Sequence, residues 1–209
     1  SVIYTPNSER MLYASEHEEF KDVINSADMI IPDGIGVVHG AKILGKPLPE
    51  RVAGFDLVCC LFGEMAKSGK SVYLLGAKPG VADTAAEKLR EKYRGLVIAG
   101  THDGYFKDDE AVIEDINKAN PDFLMVCIGF PKQEIWINKY RDRLNAKLAI
   151  GAGGCIDVFA GTVLRAPDFY CRHGIEWLYR LIKQPSRFVR MLALPKFGLK
   201  VLFTGRRYK

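Results

Sequence analysis

Residues 71–93 have the sequence SVYLLGAKPGVADTAAEKLREKY, in which a short apolar run, a glycine-containing turn and an amphipathic stretch follow one another. The run Ser71–Leu75 predicts a β-strand, Gly76–Gly80 a loop and Val81–Tyr93 a helix. A strand this short and this apolar is typical of a parallel sheet that is covered by helices on both faces. The stretch therefore predicts one strand–loop–helix unit of an α/β fold.

The same alternation continues on both sides of this unit. Further short apolar runs predict strands at Val2–Tyr4, Met29–Ile31, Leu96–Ala99, Phe123–Ile128 and Leu148–Ile150, and we expect Met29–Ile31 to be buried. The intervening segments with helical spacing are Ser8–Ser26, Ile35–Leu44, Phe55–Lys67, Asp108–Ala119 and Gln133–Leu144. Because single helices separate the strands, we predict a Rossmann-like, mostly parallel sheet with helices on both faces.

Charge is distributed unevenly along the 209 residues, whose formal net charge is +5. Residues 171–209 contain ten basic residues and one acid, Glu176, which gives this segment +9 and leaves −4 for residues 1–170. Apolar residues at helical spacing are interleaved with the cations from Pro167 onward. We therefore predict an α/β catalytic domain at residues 1–168 and a basic, amphipathic, helical C-terminal appendage at residues 169–209.

The composition of the appendage suggests an anionic membrane surface as a partner. Its cations are attracted to anionic lipid, and apolar residues such as Phe188, Met191 and Leu192 can enter the interface. A solvated helix pair that packs on the core is the alternative, and the apolar face also allows a homo-oligomer. The charge alone leaves open a non-catalytic module that binds nucleic acid, although the sequence contains no nucleic-acid-binding motif.

Several classes of protein are excluded or disfavoured. No stretch reaches the ~18 consecutive apolar residues of a membrane-spanning helix, and no signal peptide is visible. The five cysteines are odd in number and lack CxxC spacing, which favours a reduced, cytoplasmic protein. Because the chain begins directly in the apolar run Val2–Tyr4, we expect a few preceding residues to be missing.

The sequence lacks the common motifs for nucleotide cofactors and metal ions. In the segment that begins at Gly34, the glycine at Gly40 comes one position too late for GxGxxG, and no P-loop occurs. A nucleotide-cofactor oxidoreductase of Rossmann type therefore stays only as an alternative. The four histidines have no metal-ligand spacing and no Asp-x-Asp is present, so we expect no metal cofactor. A bound diphosphate would then be neutralised by arginines, lysines and helix N-termini.

Asp33 is the residue that the pattern singles out for chemistry. It follows a predicted strand and precedes Gly34, in a region where an open parallel sheet binds ligands beyond the carboxyl ends of its strands. An aspartate at this point can cap the following helix, and it can equally act as a catalytic base. The sequence pattern by itself supports both roles to the same degree. Glycine-rich turns after other strands favour a nucleotide-type ligand.

A set of motifs, in order along nearly the whole chain, resembles one bacterial family. They are Thr5-Pro6-Asn7, Pro32-Asp33-Gly34-Ile35-Gly36-Val37-Val38, Arg51-Val52-Ala53-Gly54-Phe55-Asp56, Leu75-Gly76-Ala77-Lys78-Pro79-Gly80-Val81-Ala82 and Gly129-Phe130-Pro131-Lys132-Gln133-Glu134. This is the N-acetylmannosaminyltransferase family of teichoic-acid linkage-unit and enterobacterial common antigen synthesis. The resemblance implies an inverting, metal-independent glycosyltransferase. Its substrates would be UDP-N-acetylmannosamine and the 4-hydroxyl of N-acetylglucosamine on undecaprenyl diphosphate.

The resemblance also implies roles for single residues and a location. The catalytic aspartate of the family corresponds to Asp33, and its active-site threonine and glutamine correspond to Thr5 and Gln133. The family's C-terminal arginines close over the donor diphosphate, and our candidates are Arg180, Arg187 and Arg190. We also expect four residues of the shared motifs to bind substrate: Asn7, Gly34, Arg51 and Gly76. The enzyme is expected to be cytoplasmic and peripheral on the inner face of the cell membrane.

Overall fold

The computed structural model of the protein describes residues 1–205, without the side chain of Arg187. The chain forms two compact units. The first, here called the sheet unit, comprises Ser1–Tyr4, Val23–Ile30 and Gly54–Leu164. The second, the helical unit, comprises Thr5–Asp22, Ile31–Ala53 and the described chain from Arg165 onward. The chain passes into the helical unit directly after each of its first two strands.

Six parallel strands form the centre of the sheet unit. They are β1 (Val2–Tyr4), β2 (Met29–Ile30), β3 (Ser71–Gly76), β4 (Val97–His102), β5 (Phe123–Cys127) and β6 (Leu148–Gly151). Their order in the sheet is β2-β1-β6-β5-β3-β4, and every neighbouring pair is parallel. The α/β fold with a Rossmann-like sheet is therefore confirmed.

Twelve α-helices and one 3₁₀ turn are found within residues 1–205. The helices are α1 (Ser8–Ala14), α2 (Glu18–Asn25), α3 (Ile35–Ile43), α4 (Gly54–Ser68), α5 (Val81–Lys92), α6 (Asp109–Ala119), α7 (Lys132–Tyr140), α8 (Cys155–Ala160), α9 (Asp168–Arg172), α10 (Glu176–Lys183), α11 (Phe188–Met191) and α12 (Ala193–Gly205), with the 3₁₀ turn at Pro185–Arg187. The helix predicted at Ser8–Ser26 is in fact two helices. Within the described chain no helix is both long and apolar enough to cross a membrane.

The central strands are buried because helices cover both of their faces. Val72 and Leu74 of β3 belong to a core cluster that includes Phe62 of α4 and Ile156 of α8. The residue between them, Tyr73, points to the opposite face, where its hydroxyl donates a hydrogen bond to Asp115 of α6. Successive side chains of a strand alternate between faces, so a fully apolar strand needs cover on both sides.

We predicted a buried strand at Met29–Ile31. The strand forms as β2, but the prediction that it is buried is wrong. In the described part of the chain, strand β2 lies at the edge of the sheet and pairs with β1 alone. Met29 and Ile30 remain 54% and 45% exposed, respectively. An apolar dipeptide has the same sequence signature at the edge of a sheet as at its centre, because position in the sheet depends on pairing with distant strands.

The C-terminal helix α12 packs within the helical unit. A Cβ atom added to Gly40 of α3 would lie 3.2 Å from the ring of Phe197 and 3.3 Å from Val201, which shows how closely α3 and α12 approach. Lys200 of α12 also donates a hydrogen bond of 3.2 Å to the carbonyl of Ser15, just after α1. The two compact units thus do not follow the predicted boundary at residues 168/169. The assignment of membrane association to residues 169–209 stays a prediction, and its last four residues lie outside the described chain.

Candidate active site

Asp33 lies in the loop between β2 and α3. Its backbone N–H donates a hydrogen bond of 3.1 Å to the carbonyl of Pro6. Helix α3 begins at Ile35, and its N-cap residue is Gly34, which has a φ of 124° and no side chain to make a capping bond. The cap position therefore falls on the glycine and not on the aspartate. The role of Asp33 as a catalytic base stays a prediction.

The Thr5-Pro6-Asn7 segment is held by Arg10 in addition to Asp33. Asn7 is the N-cap residue of α1, and its side-chain oxygen accepts a hydrogen bond of 3.1 Å from the backbone N–H of Arg10. The guanidinium of Arg10 reaches back to the same segment, where Nη1 donates a bond of 2.8 Å to the carbonyl of Thr5. Thr5 and Arg10 are both buried. The segment is thus fixed by backbone and side-chain bonds on both sides.

Arg51 and Arg180 share one carboxylate, that of Glu176. Arg51 Nη2 lies 3.0 Å from Glu176 Oε2, and Arg180 Nη2 donates to Glu176 Oε1. Arg51 also donates 2.9 Å through Nη1 to the carbonyl of Cys171, and Val52 N–H donates 3.1 Å to the carbonyl of Pro32. These bonds connect the loop of Arg51 to the loop of Asp33 and to helices α9 and α10. The side chains of Arg51 and Glu176 are only 15% and 18% exposed.

These groups determine the electrostatics of Asp33. Burial raises the pKa of the Asp33 carboxyl above its usual range, because desolvation penalises the charged form. Arg10 and then Arg51 act in the opposite direction, while Glu176 adds to the rise and Arg180 opposes it. A carboxylate can accept a proton, and arginines can attract an anionic ligand.

The other two predicted tail arginines are Arg190 and Arg187. Arg190 binds Glu9 of α1 through two bonds, 2.8 Å from Nε to Oε1 and 2.9 Å from Nη2 to Oε2. Its hydrogen bonds to Glu9 raise the pKa of Arg190. The guanidinium is half exposed, so the pair is open to exchange with another anion. The backbone of Arg187 lies in the 3₁₀ turn, and its side chain lies outside the described atoms.

The predicted residues Gly76 and Gln133 belong to the sheet unit. Gly76 ends β3 with a φ of 139°, and a Cβ there would collide with the backbone of Cys127 on the neighbouring strand β5. Gln133 is fully buried at the start of α7. Its Nε2 donates 3.0 Å to Glu134 Oε1, and its Oε1 accepts 3.1 Å from the N–H of Gly153. Both residues thus have structural roles, and their contact with substrate stays a prediction.

The helical unit therefore contains eight of the predicted residues: Thr5, Asn7, Asp33, Gly34, Arg51, Arg180, Arg187 and Arg190. Sequence reasoning missed Arg10 and Glu176 as members of this group. Arg10 follows the ordinary pattern of a polar first helical turn, so it carried no signal. Glu176 did carry one, because it is the only acid in the basic segment 171–209. An isolated acid among many cations suggests an ion pair that orients some of them.

Within the described chain no group of three or more histidine, cysteine, aspartate or glutamate side chains is arranged to hold a metal ion. The charged groups that do converge are the arginines and carboxylates around Asp33. Anions are bound by such arginines through charge-assisted, bidentate hydrogen bonds.

Comparison with known proteins identifies one family. A family model described as the glycosyl transferase WecG/TagA/CpsF family matches residues 1–209. A protein of Bacillus spizizenii is 42% identical over 202 residues, which cover 97% of this chain and 79% of the relative. A Staphylococcus aureus protein is 34% identical over 207 residues, 99% of this chain and 82% of the relative. Both relatives are named N-acetylglucosaminyldiphosphoundecaprenol N-acetyl-beta-D-mannosaminyltransferase.

Proposed function

The chain belongs to the WecG/TagA/CpsF glycosyltransferase family, and from that premise we propose that it transfers N-acetylmannosamine from UDP-N-acetylmannosamine to a lipid-linked acceptor. The acceptor is N-acetylglucosamine on undecaprenyl diphosphate, as the names of the relatives suggest. We propose its 4-hydroxyl as the attacking group, as the family resemblance implies. The product would enter teichoic-acid linkage-unit synthesis or the synthesis of a related surface polysaccharide. Family membership favours this activity over the oxidoreductase and nucleic-acid alternatives.

The observation that carries the proposal is the position of the Asp33 loop, which is bonded to the Thr5–Asn7 segment through Asp33 N–H and the Pro6 carbonyl at 3.1 Å and to the loop of Arg51 through Val52 N–H and the Pro32 carbonyl at 3.1 Å. In the proposed reaction Asp33 takes the proton of the acceptor 4-hydroxyl from a distance of about 3 Å. The acceptor oxygen then bonds to the anomeric carbon of the donor, while the bond from that carbon to the diphosphate oxygen breaks. UDP leaves with the electron pair of the broken bond, and the configuration at the anomeric carbon inverts.

Cations must balance the charge that develops on the leaving UDP. We propose that arginines do this without a metal ion, and the shared carboxylate of Glu176 holds two of them, Arg51 and Arg180, close together. Arg180 and Arg190 are 46% and 49% exposed and are now bound to carboxylates. Donor phosphate oxygens would replace Glu176 and Glu9 as their partners. Arg187, Thr5, Asn7, Gly34, Gly76 and Gln133 remain the other proposed contacts to substrate.

The activity is tested by incubating the purified protein with a panel of UDP-sugars and a lipid-diphosphate N-acetylglucosamine analogue. We expect a disaccharide product with UDP-N-acetylmannosamine, identified by mass spectrometry, and a β linkage by NMR. Transfer from another UDP-sugar in preference to this donor would change the proposed substrate. Lack of transfer from every donor, with a relative from Bacillus active in the same assay, would refute the proposal.

We further propose that the protein works on the inner face of the cell membrane and binds anionic lipid through α10, α11 and α12. Phe188 and Val189 of α11 are 59% and 74% exposed, beside the basic residues of the same segment. This arrangement supports insertion of apolar side chains between anionic headgroups. The exposed edge strand β2 offers a separate surface for self-association, which sedimentation velocity measures.

Point variants test the membrane proposal better than deletion does, because removal of the C-terminal segment would uncover the surfaces of α1 and α3 that pack against α12. Val189→Asp and Phe188→Asp should each reduce co-sedimentation with anionic vesicles and leave the melting temperature unchanged. Leu164→Asp is the matched control, since Leu164 is 69% exposed but lies in the sheet unit. Equal vesicle binding by all three variants would contradict the proposal.

A further inference from the structure

Glu134 is a buried carboxyl in the first turn of α7, in the sheet unit. It is 1% exposed, and its neighbour Gln133 is 0% exposed. A carboxyl that leaves water loses its hydration, so its burial destabilises the fold unless hydrogen bonds and favourable charges compensate. The N-terminus of α7 supplies part of this compensation through its dipole, and the side chain of Gln133 supplies a hydrogen bond. A buried polar pair of this kind calls for a role beyond packing.

The pair lies where three neighbouring strands end. Helix α7 follows β5, and the backbone N–H of Gln133 donates 2.8 Å to the carbonyl of Gly129 in the connecting loop. The hydroxyl of Tyr4, the last residue of β1, donates 3.0 Å to the backbone carbonyl of Glu134. Strand β6 lies between β1 and β5. An open parallel sheet binds ligands beyond the carboxyl ends of its strands, so these bonds are formed next to the region where a ligand is expected.

The side chain of Gln133 connects Glu134 to the loop that follows β6. Its Nε2 donates 3.0 Å to Glu134 Oε1, and its Oε1 accepts 3.1 Å from the N–H of Gly153. A Cβ atom on Gly151, the last residue of β6, would lie 2.9 Å from Gln133 Nε2, so the amide packs directly on the end of the strand. The Gln133 amide is therefore one of the groups that hold residues 151–154 in place.

The two neighbours of this amide select one of its two orientations. A backbone N–H donates, so the atom that faces Gly153 must be the oxygen. A carboxylate accepts, so the atom that faces Glu134 must be the nitrogen. Without an acceptor at position 134 the amide could turn by about 180° and present its own N–H groups to the N–H of Gly153, a contact between two donors. The selected orientation requires a lone pair on Glu134 and not its charge, whatever other groups Glu134 contacts.

We propose that Glu134 is a positioning residue for sugar transfer, which fixes the orientation of the Gln133 amide and thereby holds residues 151–154 where the central strands end. This inference rests on the proposed function, in which Gln133 contacts the substrate. A fully bonded, buried polar network gives its part of the fold one defined arrangement. A glutamine that alternated between two orientations would offer the substrate the correct atom for only part of the time, and misplacement of a binding group lowers the rate of reaction.

The first test measures hydrogen exchange of the Gly153 backbone N–H by NMR and does not depend on turnover. Methionine is about as long as glutamate and suits burial, but it is a weak acceptor, so Gly153 should exchange at least about tenfold faster in Glu134→Met than in the wild type. Glutamine keeps an oxygen acceptor, and Glu134→Gln should retain most of the protection. Glu87→Met is the matched control, because Glu87 is an exposed glutamate of α5 in the same unit.

The pattern of exchange separates this local role from general support of the fold. Loss of the hydrogen bond should accelerate exchange at Gly153 and leave the amides of β3 and β5 protected, whereas global destabilisation accelerates all slowly exchanging amides together. Wild-type exchange at Gly153 in folded Glu134→Met, or an acceleration that is uniform over the sheet, would overturn the proposal.

A double variant decides if Glu134→Met does not fold. Gln133→Glu combined with Glu134→Gln reverses the pair, so that the amide at position 134 donates to the carboxylate at position 133. The other oxygen of that carboxylate can still accept the N–H of Gly153. We expect Gly153 to remain protected in this double variant, and loss of its protection in the folded protein would count against the proposal.

The second test measures kcat and KM for the donor well below the melting temperature of each variant. We expect kcat/KM of Glu134→Met to fall about 10–10²-fold and that of Glu134→Gln to stay within about threefold of the wild type. Glu87→Met should be unchanged. A purely structural role would lower the melting temperature of Glu134→Met and leave its kcat/KM at the wild-type value, and this result would overturn the proposal.

Two other outcomes are also decisive. An equal loss of kcat/KM in Glu134→Met and Glu134→Gln would assign the effect to the charge of Glu134 and not to its lone pair, which contradicts the proposal. Absence of sugar transfer by the wild type would instead refute the proposed function. The exchange of Gly153 would then still decide whether Glu134 holds residues 151–154 through Gln133.

Discussion

Replacement of Glu176 by glutamine tests the charge network around Asp33 most directly. The change keeps the shape of the side chain but removes the negative charge that Arg51 and Arg180 share. Glutamine can still accept a hydrogen bond through its oxygen, whereas its NH₂ group would face an N–H donor of one arginine. One of the two contacts is therefore lost and the other is weakened.

The expected loss of stability follows from the exposure of the three side chains. Arg51 and Glu176 are 15% and 18% exposed, so their bond is largely shielded from water, and a hydrogen bond between charged groups contributes about 1.5–3 kcal/mol. Arg180 is 46% exposed, and screening by solvent limits its pair to about 1 kcal/mol or less. Because glutamine retains part of these interactions, we expect a loss of about 1–3 kcal/mol. Each kcal/mol lowers the Tm of a chain of this size by about 2–4 °C.

The same variant should shift the pH profile in a defined direction. Glu176 contributes to the raised pKa of Asp33, so its neutralisation lowers that pKa. The acidic limb of kcat/KM should then move to lower pH.

The measurements are thermal unfolding by circular dichroism and the pH dependence of sugar transfer. Glu64→Gln is the matched control, because Glu64 pairs with Lys67 at 2.7 Å on an exposed helix surface of the sheet unit. We expect this control to retain the wild-type Tm and pH profile. If Glu176→Gln behaves like Glu64→Gln in both measurements, the contacts of Glu176 contribute neither to the Tm nor to the pH profile of transfer, and the reasoning is refuted.

Three further predictions concern Asp33, metal ions and Gly76. Asp33→Asn should lower kcat by about 10²–10⁴-fold, because the general base is lost. The Tm should stay at or above the wild-type value, because asparagine mimics the neutral form of the carboxyl that burial favours. Transfer at a near-normal rate would remove Asp33 from the mechanism. EDTA should leave the rate of transfer undiminished if arginines alone stabilise the leaving UDP. Loss of activity in EDTA that Mg²⁺ or Mn²⁺ restores would show that a metal ion takes part. Gly76→Ala should destabilise the fold by more than about 1 kcal/mol, because its φ of 139° is unfavourable for alanine and the Cys127 backbone leaves no room for a Cβ. Gly80→Ala is the control: Gly80 also has a positive φ, but no atom lies near its Cβ, so this variant measures the strain in φ without the steric clash.

Most of the fold could be predicted because its signals are local. The apolar runs at β3 and β5 are short and bounded by turns, and such runs need cover on both faces wherever they lie in the sheet. Strand β2 shows where local signals end. Its residues are as apolar as those of a central strand, yet Met29 and Ile30 are exposed because, among residues 1–205, no strand pairs with the outer side of β2.

The candidate site also has residues that local sequence signals predict and residues that they do not. Asp33 could be singled out from its neighbours in sequence, since an open parallel sheet binds ligands beyond the carboxyl ends of its strands, but the pattern did not choose between a helix cap and a base. The effect of Arg10 on Asp33 could not be predicted, because it depends on the packing of the chain. Glu176 meets Arg51 across 125 residues; as the only acid of residues 171–209 it indicated an ion pair, but its local sequence did not name the partner.

By itself the sequence determined the parallel α/β architecture and the family, and it singled out the Asp33 carboxyl as a candidate, because periodicity, turn chemistry and motif order are properties of neighbouring residues. Only the tertiary structure decided which charges surround that carboxyl, that Arg51 and Arg180 share Glu176, and that Arg10 is buried beside the 5–7 segment. Electrostatic interactions act through space and depend on burial, and both distance and burial are set by the packing of segments that the chain keeps far apart.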